Sequence, residues 1–393
     1  MCEIELSSVI TDIAAGPFGS NLKVECFVPS GFPIVDGANL KSYKVTDNIT
    51  KFVTEEKARS LGRSIAKRGD VIVTISGTLG QISYIPNDSK YTEYLCSQRQ
   101  FRVSFDESKV YVPYLVFYFH TYEGQNKILS FANQTGVPAL SQPLKNFKKI
   151  RLQLPPLEQQ KKIASVIEAI NRKIEYNQKI NDNLERQADA LFKSWFINFE
   201  QVPNCNFVNS EIGLIPNDWR VYKLSEFLPV ITGKKNANVS SGKGTYPFFS
   251  CSQGISWTND YSFDGHAILV AGNGDFNVKW YNGKFDAYQR TYVLIPYDER
   301  FTSWLYYAVK YNLSNITSAA RGSVIKFITK GNLENFAFAG PKDLDSLDVI
   351  DTFTTINHTI DKKVQENYQL SALRDALLSK LMSGEVDVSA VQL

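Results

Sequence analysis

The feature that most constrains this chain is an internal repeat whose two copies lie 186 residues apart. Ile170 corresponds to Ile356, and the run 189–191 (Asp-Ala-Leu) is repeated without change at 375–377. The correspondence extends over two long helical stretches without a gap. A repeat of this length predicts two copies of one structural unit. Two copies of a binding unit indicate a target with two related halves.

Each copy ends in a long amphipathic helix. Apolar residues recur in alternating steps of four and three, as in the seam of a coiled coil. The predicted seam residues are Ile163, Ile167, Ile170, Ile174, Leu184, Leu191, Ile356, Ile360, Leu370, Leu377 and Leu381. We expect an antiparallel pair of helices, each of about 40 residues and roughly 60 Å, that holds the globular parts apart. The alternative is that each helix packs on its own domain.

Polar residues interrupt the seam at matching places in the two helices. Asn181 and Asn367 occupy these equivalent positions. A polar seam residue can fix the register of a helix pair at some cost in stability. A solvated gap in the seam is the other interpretation, and the sequence leaves both open.

The chain of 393 residues is long enough for two or three domains, each with its own core. We expect globular domains at 1–155 and 203–340, each followed by a helical segment, at 156–202 and 341–393. The first domain has 18 basic and 14 acidic residues, and the second has 13 and 10. The helical segments are neutral and acidic. This modest bias fits globular domains that meet a polyanion, although many other proteins show as much.

Strands and short helices alternate in the same order in both halves. The first half has a predicted strand at 71–75 and predicted helices at 54–61 and 112–120. The second half has a predicted strand at 267–271 and a predicted helix at 304–311. The pair Gln-Arg recurs before a strand in each half, at 98–99 and 289–290. The spacing between these elements differs from that of the long helices, so the globular domains carry insertions relative to each other.

Motifs for catalysis and for metal binding are missing from the sequence. The Pro155-Pro156 pair lacks the preceding Asp or Asn of an adenine methyltransferase motif, and a phosphate-binding GxxxxGK[ST] loop is absent. The histidines are far apart, and the scattered cysteines form no CxxC pair. No apolar run reaches the ~18 residues of a membrane span. The acidic first residues do not resemble a signal peptide, so we expect a cytoplasmic protein.

Three motifs of the helical segments resemble those of a known family. The run 154–164 (Leu-Pro-Pro-Leu-Glu-Gln-Gln-Lys-Lys-Ile-Ala) resembles the start of the helix of type I restriction-modification specificity subunits. The runs 191–196 (Leu-Phe-Lys-Ser-Trp-Phe) and 377–385 (Leu-Leu-Ser-Lys-Leu-Met-Ser-Gly-Glu) resemble the two usual endings of that helix. The second copy departs from the pattern at 340–343, where Gly-Pro-Lys-Asp replaces the Pro-Pro motif. The resemblance covers essentially the whole chain.

The resemblance implies an α/β (α+β) protein with two target-recognition domains separated by two long antiparallel helices in a pseudo-twofold repeat. It implies that the chain is not an enzyme and binds no cofactor. Its partners would be double-stranded DNA, two methyltransferase subunits that use S-adenosylmethionine, and restriction subunits that use ATP and Mg. Each domain would read one half of a split, asymmetric DNA site with a non-specific gap.

Candidate DNA contacts are polar residues in the predicted loops of the two domains, because base edges and phosphates are bound by such side chains and by backbone N–H groups. In the first domain they are Ser20, Asn21, Lys23, Ser76, Thr78, Gln98, Arg99 and Thr135. In the second domain they are Lys234, Lys235, Asn236, Asn273, Asn277, Lys279, Gln289, Arg290, Arg321, Ser323 and Lys326. The Gln-Arg pair occurs in both domains, so it is a poor candidate for distinguishing two half-sites.

Two other functions remain open at this point. An orphan or inactive copy would act as a protein-interaction scaffold through the same helices. A more remote alternative is an autonomous DNA enzyme, which the lack of a catalytic motif disfavours.

Overall fold

A computed structural model describes residues 2–133, 138–202, 206–240, 242, 244–318, 326–346, 348–389 and 391. The chain forms two compact units, of which unit 1 comprises Met1–Glu175 and Asn367–Leu393, and unit 2 comprises Tyr176–Glu366. Each unit contains a mixed domain of strands and short helices together with parts of both long helices. The predicted mixed α/β class is confirmed.

The domain of unit 1 is built from short strands and short helices that alternate along the chain. Its strands are β1 (Cys2–Glu5), β2 (Ile10–Ala15), β3 (Phe32–Val35), β4 (Phe52–Val53), β5 (Ile65–Lys67), β6 (Val71–Thr74), β7 (Ile82–Tyr84), β8 (Glu93–Cys96), β9 (Gln100–Phe105) and β10 (Arg151–Leu154). Its helices are α1 (Glu55–Ser60), α2 (Val112–Phe119), α3 (Tyr122–Leu129) and α4 (Pro143–Lys148), and the long helix α5 (Leu157–Phe192) follows β10.

Two sheets and a strand pair organise the domain of unit 1. One sheet has the order β2-β9-β6-β7 and the other the order β4-β3-β8-β5, while β1 pairs antiparallel with β10. Every residue of β6 is buried, as its continuous run of β-branched residues predicts. Helix α2 buries Tyr114, Phe117 and Phe119 in the same core as β6 and β9. Helix α1 begins where Thr54 Oγ1 accepts a hydrogen bond from the N–H of Lys57 at 3.2 Å.

The domain of unit 2 also combines strands with short helices, but its first nine strands precede its α-helices, and two of its strands are longer, with 9 and 10 residues. Its strands are β11 (Phe207–Ser210), β12 (Gly213–Pro216), β13 (Trp219–Lys223), β14 (Val230–Thr232), β15 (Tyr246–Phe249), β16 (Ser256–Thr258), β17 (Phe263–Ala271), β18 (Val278–Ala287), β19 (Thr291–Leu294) and β20 (Ala337–Pro341). Its helices are α6 (Thr302–Tyr311), α7 (Leu313–Ser318) and α8 (Lys330–Glu334), and the long helix α9 (Asp348–Ser383) ends the described secondary structure.

One large sheet dominates the domain of unit 2. Its order is β14-β19-β17-β18-β15-β16, and β13 pairs antiparallel with β20 just as β1 pairs with β10. Helix α6 packs on this sheet and buries Trp304 and Tyr307 completely or nearly so. The predicted strand at 267–271 is the end of β17, and the predicted helix at 304–311 lies within α6. These predictions are confirmed.

The long helices α5 and α9 each contain 36 residues, slightly fewer than the predicted 40. Within unit 1, Arg374 Nη1 donates to Asn171 Oδ1 at 3.2 Å. Within unit 2, Asn177 Nδ2 donates to Glu366 Oε2 at 3.0 Å, and Asn181 Nδ2 reaches the carbonyl oxygen of Ile360 at 3.4 Å. Residue numbers rise on α5 as they fall on α9, so the helices run antiparallel.

Candidate nucleic-acid interface

A group of polar loops meets at one end of the sheet β2-β9-β6-β7 in unit 1. We call the segments 16–23, 75–80, 97–100 and 138–140 the first loop cluster. Backbone hydrogen bonds join its segments: Gly16 N to Gln100 O at 2.8 Å, Ile75 N to Arg99 O at 2.7 Å, Gly77 N to Pro138 O at 3.0 Å and Leu140 N to Ile75 O at 2.8 Å. These bonds join residues that are far apart in sequence, and we call the set of backbone bonds in a cluster its backbone frame.

The domain of unit 2 contains a second loop cluster, formed by segments 233–236, 272–279, 288–291 and 326–328. Its corresponding bonds are Gly233 N to Thr291 O at 2.8 Å, Gly272 N to Arg290 O at 2.8 Å, Gly274 N to Lys326 O at 3.2 Å and Ile328 N to Gly272 O at 3.0 Å. Each bond of the first cluster thus has a counterpart in the second. The two domains differ in loop length, but they close their loops in the same way.

Glycine is required where the first segment of each cluster crosses its neighbour. A Cβ atom on Gly16 would lie 1.9 Å from the carbonyl oxygen of Ser97. A Cβ atom on Gly233 would lie 2.2 Å from the carbonyl oxygen of Tyr288. Real Cβ atoms do not approach a backbone so closely, so only glycine permits this crossing.

The predicted contacts of the first domain come together in the first loop cluster. They are Ser20, Asn21, Lys23, Ser76, Thr78, Gln98 and Arg99, whereas Thr135 lies outside the described residues. Gln98 has a bracing role, because its Nε2 donates to the carbonyl oxygens of Gly19 at 3.1 Å and Leu22 at 2.6 Å. Apart from partly buried Ser76, the predicted contacts in this cluster are exposed.

The predicted contacts of the second domain come together in the second loop cluster. They are Lys234, Lys235, Asn236, Asn273, Asn277, Lys279, Gln289, Arg290 and Lys326, whereas Arg321 and Ser323 lie outside the described residues. Gln289 and Arg290 are exposed, as are their counterparts in unit 1. The contacts of these residues with DNA stay predictions.

The side chains of two of these predicted contacts donate hydrogen bonds to other groups of the protein. Asn277 is buried, and its Nδ2 donates to the carbonyl oxygens of Cys251 at 2.9 Å and Asp275 at 2.7 Å. Lys279 Nζ donates to the carbonyl oxygen of Ser252 at 2.6 Å. Burial lowers the pKa of Lys279 from its usual value. These contacts attach the segment 251–253 to the cluster, which the sequence did not predict.

The lysines of the second loop cluster also have partners in the domain. Lys234 lies 5.0 Å from the centre of the Phe263 ring, and its Nζ reaches the carbonyl oxygen of Ser262 at 3.4 Å. Lys235 pairs with Asp260 at 3.4 Å. The Lys235–Asp260 ion pair is weak, because the Asp260 side chain is 72% exposed.

Sequence reasoning missed one prominent residue of the first loop cluster. Phe18 is 83% exposed at the tip of the first segment. Its signal in the sequence is an aromatic residue between Pro17 and Gly19, outside any helical or strand periodicity. Phe18 therefore lacks the regular spacing from other apolar residues that marks a core position.

The predicted seam residues of α5 and α9 are all buried or partly buried. Ile163, Ile167 and Leu381 are buried in the core of unit 1, and the other predicted seam residues, Ile170, Ile174, Leu184, Leu191, Ile356, Ile360, Leu370 and Leu377, are partly buried. The outermost seam positions therefore also pack on a domain. The residues flanking the stripe are mostly exposed, in keeping with the predicted periodicity.

The chemistry of the two loop clusters is that of binding. Amides, hydroxyls, basic side chains and exposed loop backbone are the groups that contact phosphates and base edges. Within the described ranges, no three His, Cys, Asp or Glu side chains are placed to hold a metal ion. Among those same residues, no helix is both long and apolar enough to span a membrane.

The fold and the loop clusters define a chain built from one repeated unit, with a cluster of polar loops on each copy. The family model for the type I restriction modification DNA specificity domain matches twice, at residues 28–186 and 216–366. The chain therefore belongs to the family of type I restriction-modification specificity subunits, whose role is DNA sequence specificity and not catalysis.

Individual relatives agree with this assignment. The EcoDI specificity subunit of Escherichia coli is 36% identical over 178 residues, which span 44% of this chain and 40% of that protein. The MjaIX specificity subunit of Methanocaldococcus jannaschii is 23% identical and matches 96% of this chain and 92% of its own length. The crystal structure of a type I S subunit from M. genitalium has the same fold, with a TM-score of 0.59 at 14% identity, covering 97% and 95% of the two chains.

Proposed function

We propose that this chain reads a split, asymmetric DNA site, with one half-site bound by each loop cluster. The observation that carries the proposal is the matched set of backbone hydrogen bonds in the two clusters. A shared frame places the two sets of loops in equivalent positions on their domains. Different side chains on equivalent loops would then bind two different half-sites.

The proposal assigns a role to each part of the chain. Residues 1–155 and 203–340 are the target-recognition domains, and residues 156–202 and 341–393 form the spacer helices. The chain itself binds no cofactor and works in the cytoplasm. Two methyltransferase subunits would methylate adenine with S-adenosylmethionine, and restriction subunits would use ATP and Mg to cleave unmodified DNA.

Selection from a pool of random duplexes tests this proposal. The full chain is titrated into the pool, alone and with its methyltransferase partner, and the bound DNA is sequenced. We expect a motif of two short parts separated by a silent gap of fixed length. A uniform pool bound in a salt-dependent way would contradict the proposal and would favour a protein-interaction scaffold.

Domain exchange then assigns the half-sites. Replacing residues 1–155 by the corresponding domain of another specificity subunit should change one part of the motif and leave the other part and the gap unchanged. A change in both parts would mean that the loop clusters do not act separately.

A further inference from the structure

Phe18 is the one large apolar side chain in the first loop cluster that polar recognition does not explain. It is 83% exposed, while the preceding Pro17 is buried. The free energy falls when an apolar side chain leaves water. A large aromatic side chain held out at the tip of a loop is therefore ready to pack against a partner.

The loop holds Phe18 in a fixed position. The carbonyl oxygen of Phe18 accepts a hydrogen bond from the N–H of Asn21 at 2.8 Å. Gly16 anchors one side of the loop to Gln100, and Gln98 anchors the other side through Gly19 and Leu22. Because the loop is braced on both sides, little ordering is needed when the ring meets its partner.

The neighbours of Phe18 on the first loop cluster are polar and basic. Ser20, Asn21 and Lys23 follow it on the same segment, and Arg99 is exposed in a segment bonded to this loop. Such groups would place a DNA backbone alongside the loop and bring the ring to the groove.

The equivalent position in unit 2 carries a different kind of residue. Counting from the glycines that cross the neighbouring loops, Phe18 corresponds to Lys235, which pairs with Asp260. The shared frame therefore does not require an aromatic residue at this place. Phe18 is a feature of the first domain alone.

We propose that Phe18 inserts between two neighbouring base pairs of the first half-site. This inference rests on the proposed function. An apolar wedge partly unstacks the base step and kinks the duplex. Pyrimidine–purine steps unstack most readily, so the wedge would select such a step through its deformability, without a hydrogen bond to a base.

Fluorescence of 2-aminopurine tests the wedge, because this adenine analogue brightens when it is unstacked. The analogue is placed at successive positions of the selected site, and the full chain is added without methyltransferase subunits, which themselves flip a base. We expect a several-fold rise at one step of the first half-site. Phe18→Ala should abolish this rise and lower affinity roughly 5- to 100-fold, whereas Phe18→Leu should keep most of the rise.

Tyr122 provides the matched control. It is also 83% exposed in unit 1, but it begins α3 and lies outside the first loop cluster. Tyr122→Ala should leave both fluorescence and affinity unchanged, and thermal unfolding should show that each variant is folded. Sequences selected by Phe18→Ala should lose the pyrimidine–purine preference in the first half-site only.

The outcomes separate the wedge from the proposed function. The wedge alone would be overturned if the wild-type chain selects a split motif but gives no fluorescence change, and if Phe18→Ala binds with normal affinity. A wild-type chain that selects no motif would overturn the proposed function and the wedge with it. A loss of signal in Tyr122→Ala equal to that in Phe18→Ala would also overturn the wedge.

Discussion

The two loop clusters share four matched backbone hydrogen bonds but carry different side chains. The first segment of the cluster reads Gly-Pro-Phe-Gly in unit 1, from Gly16, and Gly-Lys-Lys-Asn in unit 2, from Gly233. In unit 1 the side chain of Gln98 braces this segment, whereas in unit 2 the backbone N–H of Gln289 donates to the carbonyl oxygen of Lys235 at 2.9 Å. The backbone frame is thus separable from the side chains that it presents.

This difference indicates how one unit can serve two half-sites. The crossing glycines and the backbone bonds depend little on side chains, so they persist while loop residues change. The exposed positions are then free to differ, as Phe18 and Lys235 do. The comparison predicts that changes to the frame act alike in both domains, and that changes to presented side chains act on one half-site.

The largest expected effect comes from adding a methyl group to a crossing glycine. Gly16→Ala would place Cβ against the carbonyl oxygen of Ser97, and Gly233→Ala would do the same against Tyr288. Overpacking of this kind costs about 1–3 kcal/mol. We expect each variant to lose one part of the selected motif, as measured by sequencing of bound DNA, and to unfold at lower denaturant concentration.

Gly19→Ala is the matched control on the same loop. A Cβ on Gly19 would meet no atom within 4 Å, so this variant should keep its stability and both parts of the motif. Equal losses in Gly19→Ala and Gly16→Ala would show that any change to the loop matters, and that the close approach of Gly16 to Ser97 is not the cause.

A smaller effect is expected for the arginines that both clusters share. Arg99 and Arg290 are exposed at equivalent places, next to equivalent backbone bonds. If both contact phosphates, Arg99→Ala and Arg290→Ala should each weaken binding by a similar factor for all sequences. The slope of log affinity against log salt should fall by about 1 in each variant.

Titrations at several salt concentrations, with the selected site and with shuffled DNA, check this expectation. The paired glutamines offer controls that remove a polar side chain without removing charge. A variant that instead tolerates new bases at one position of the site would show that its arginine reads a base. Arg99 and Arg290 would then have different roles in DNA binding.

A third prediction concerns the glutamines that precede these arginines. Gln98→Ala removes two side-chain hydrogen bonds that brace the first segment, whereas Gln289→Ala leaves the backbone bond to Lys235 in place. Both bonds of Gln98 come from one amide nitrogen, so we count them as one net hydrogen bond of about 1 kcal/mol. If the whole of this free energy is lost from binding, affinity falls roughly fivefold. We expect such a loss for the first half-site in Gln98→Ala and a smaller loss for the second in Gln289→Ala.

Competition between duplexes that carry one intact half-site and one scrambled half-site measures each effect separately. Gln98→Met serves as a second variant, since it keeps the approximate size and the neutrality of the side chain but cannot donate the two bonds. An equal loss in the two alanine variants would mean that both glutamines touch DNA, as the sequence suggests.

Much of this molecule could be predicted from the sequence. The repeat, the long helices and the seam follow from periodicity, because the pattern of apolar residues is dictated by 3.6 residues per turn. The helix at Thr54 follows from a local capping interaction. The loop residues could be grouped by domain because Gly and polar residues separate the predicted strands along the sequence.

The assembly of the loop clusters could not be predicted, because it depends on contacts between distant segments. Gln98 was expected to touch DNA, but nothing local indicates that its amide reaches Gly19 and Leu22. Asn277 was expected in an open loop and is buried by the segment that contains Cys251. Burial of a polar side chain is a property of the fold and leaves no mark on sequence periodicity.

The smallest expected effect is a difference in acid sensitivity between the domains. His120 is the residue that caps the carboxyl end of α2 in unit 1, and Asn312 caps that end of α6 in unit 2. Its Nε2 is 2.8 Å from the carbonyl oxygen of Ile82, and its ring packs 4.4 Å from that of Tyr43. Burial lowers the pKa of His120 below its ordinary value of 6.5, and the positive charge of Arg374 adds to this effect.

A lowered pKa means that the folded state favours the neutral ring, so the unfolded state takes up a proton first as the pH falls. Stability is therefore complete above about pH 6.5 and declines below it, by about 1.4 kcal/mol for each tenfold difference in proton affinity. His120→Gln keeps a donor for Ile82 but does not titrate, so its unfolding free energy should fall less between pH 7 and pH 5 than that of the wild type. Urea unfolding at several pH values measures the difference. Parallel pH profiles for the two proteins would show that the buried imidazole does not set the acid sensitivity of unit 1, and this difference between the two domains would have no effect on stability.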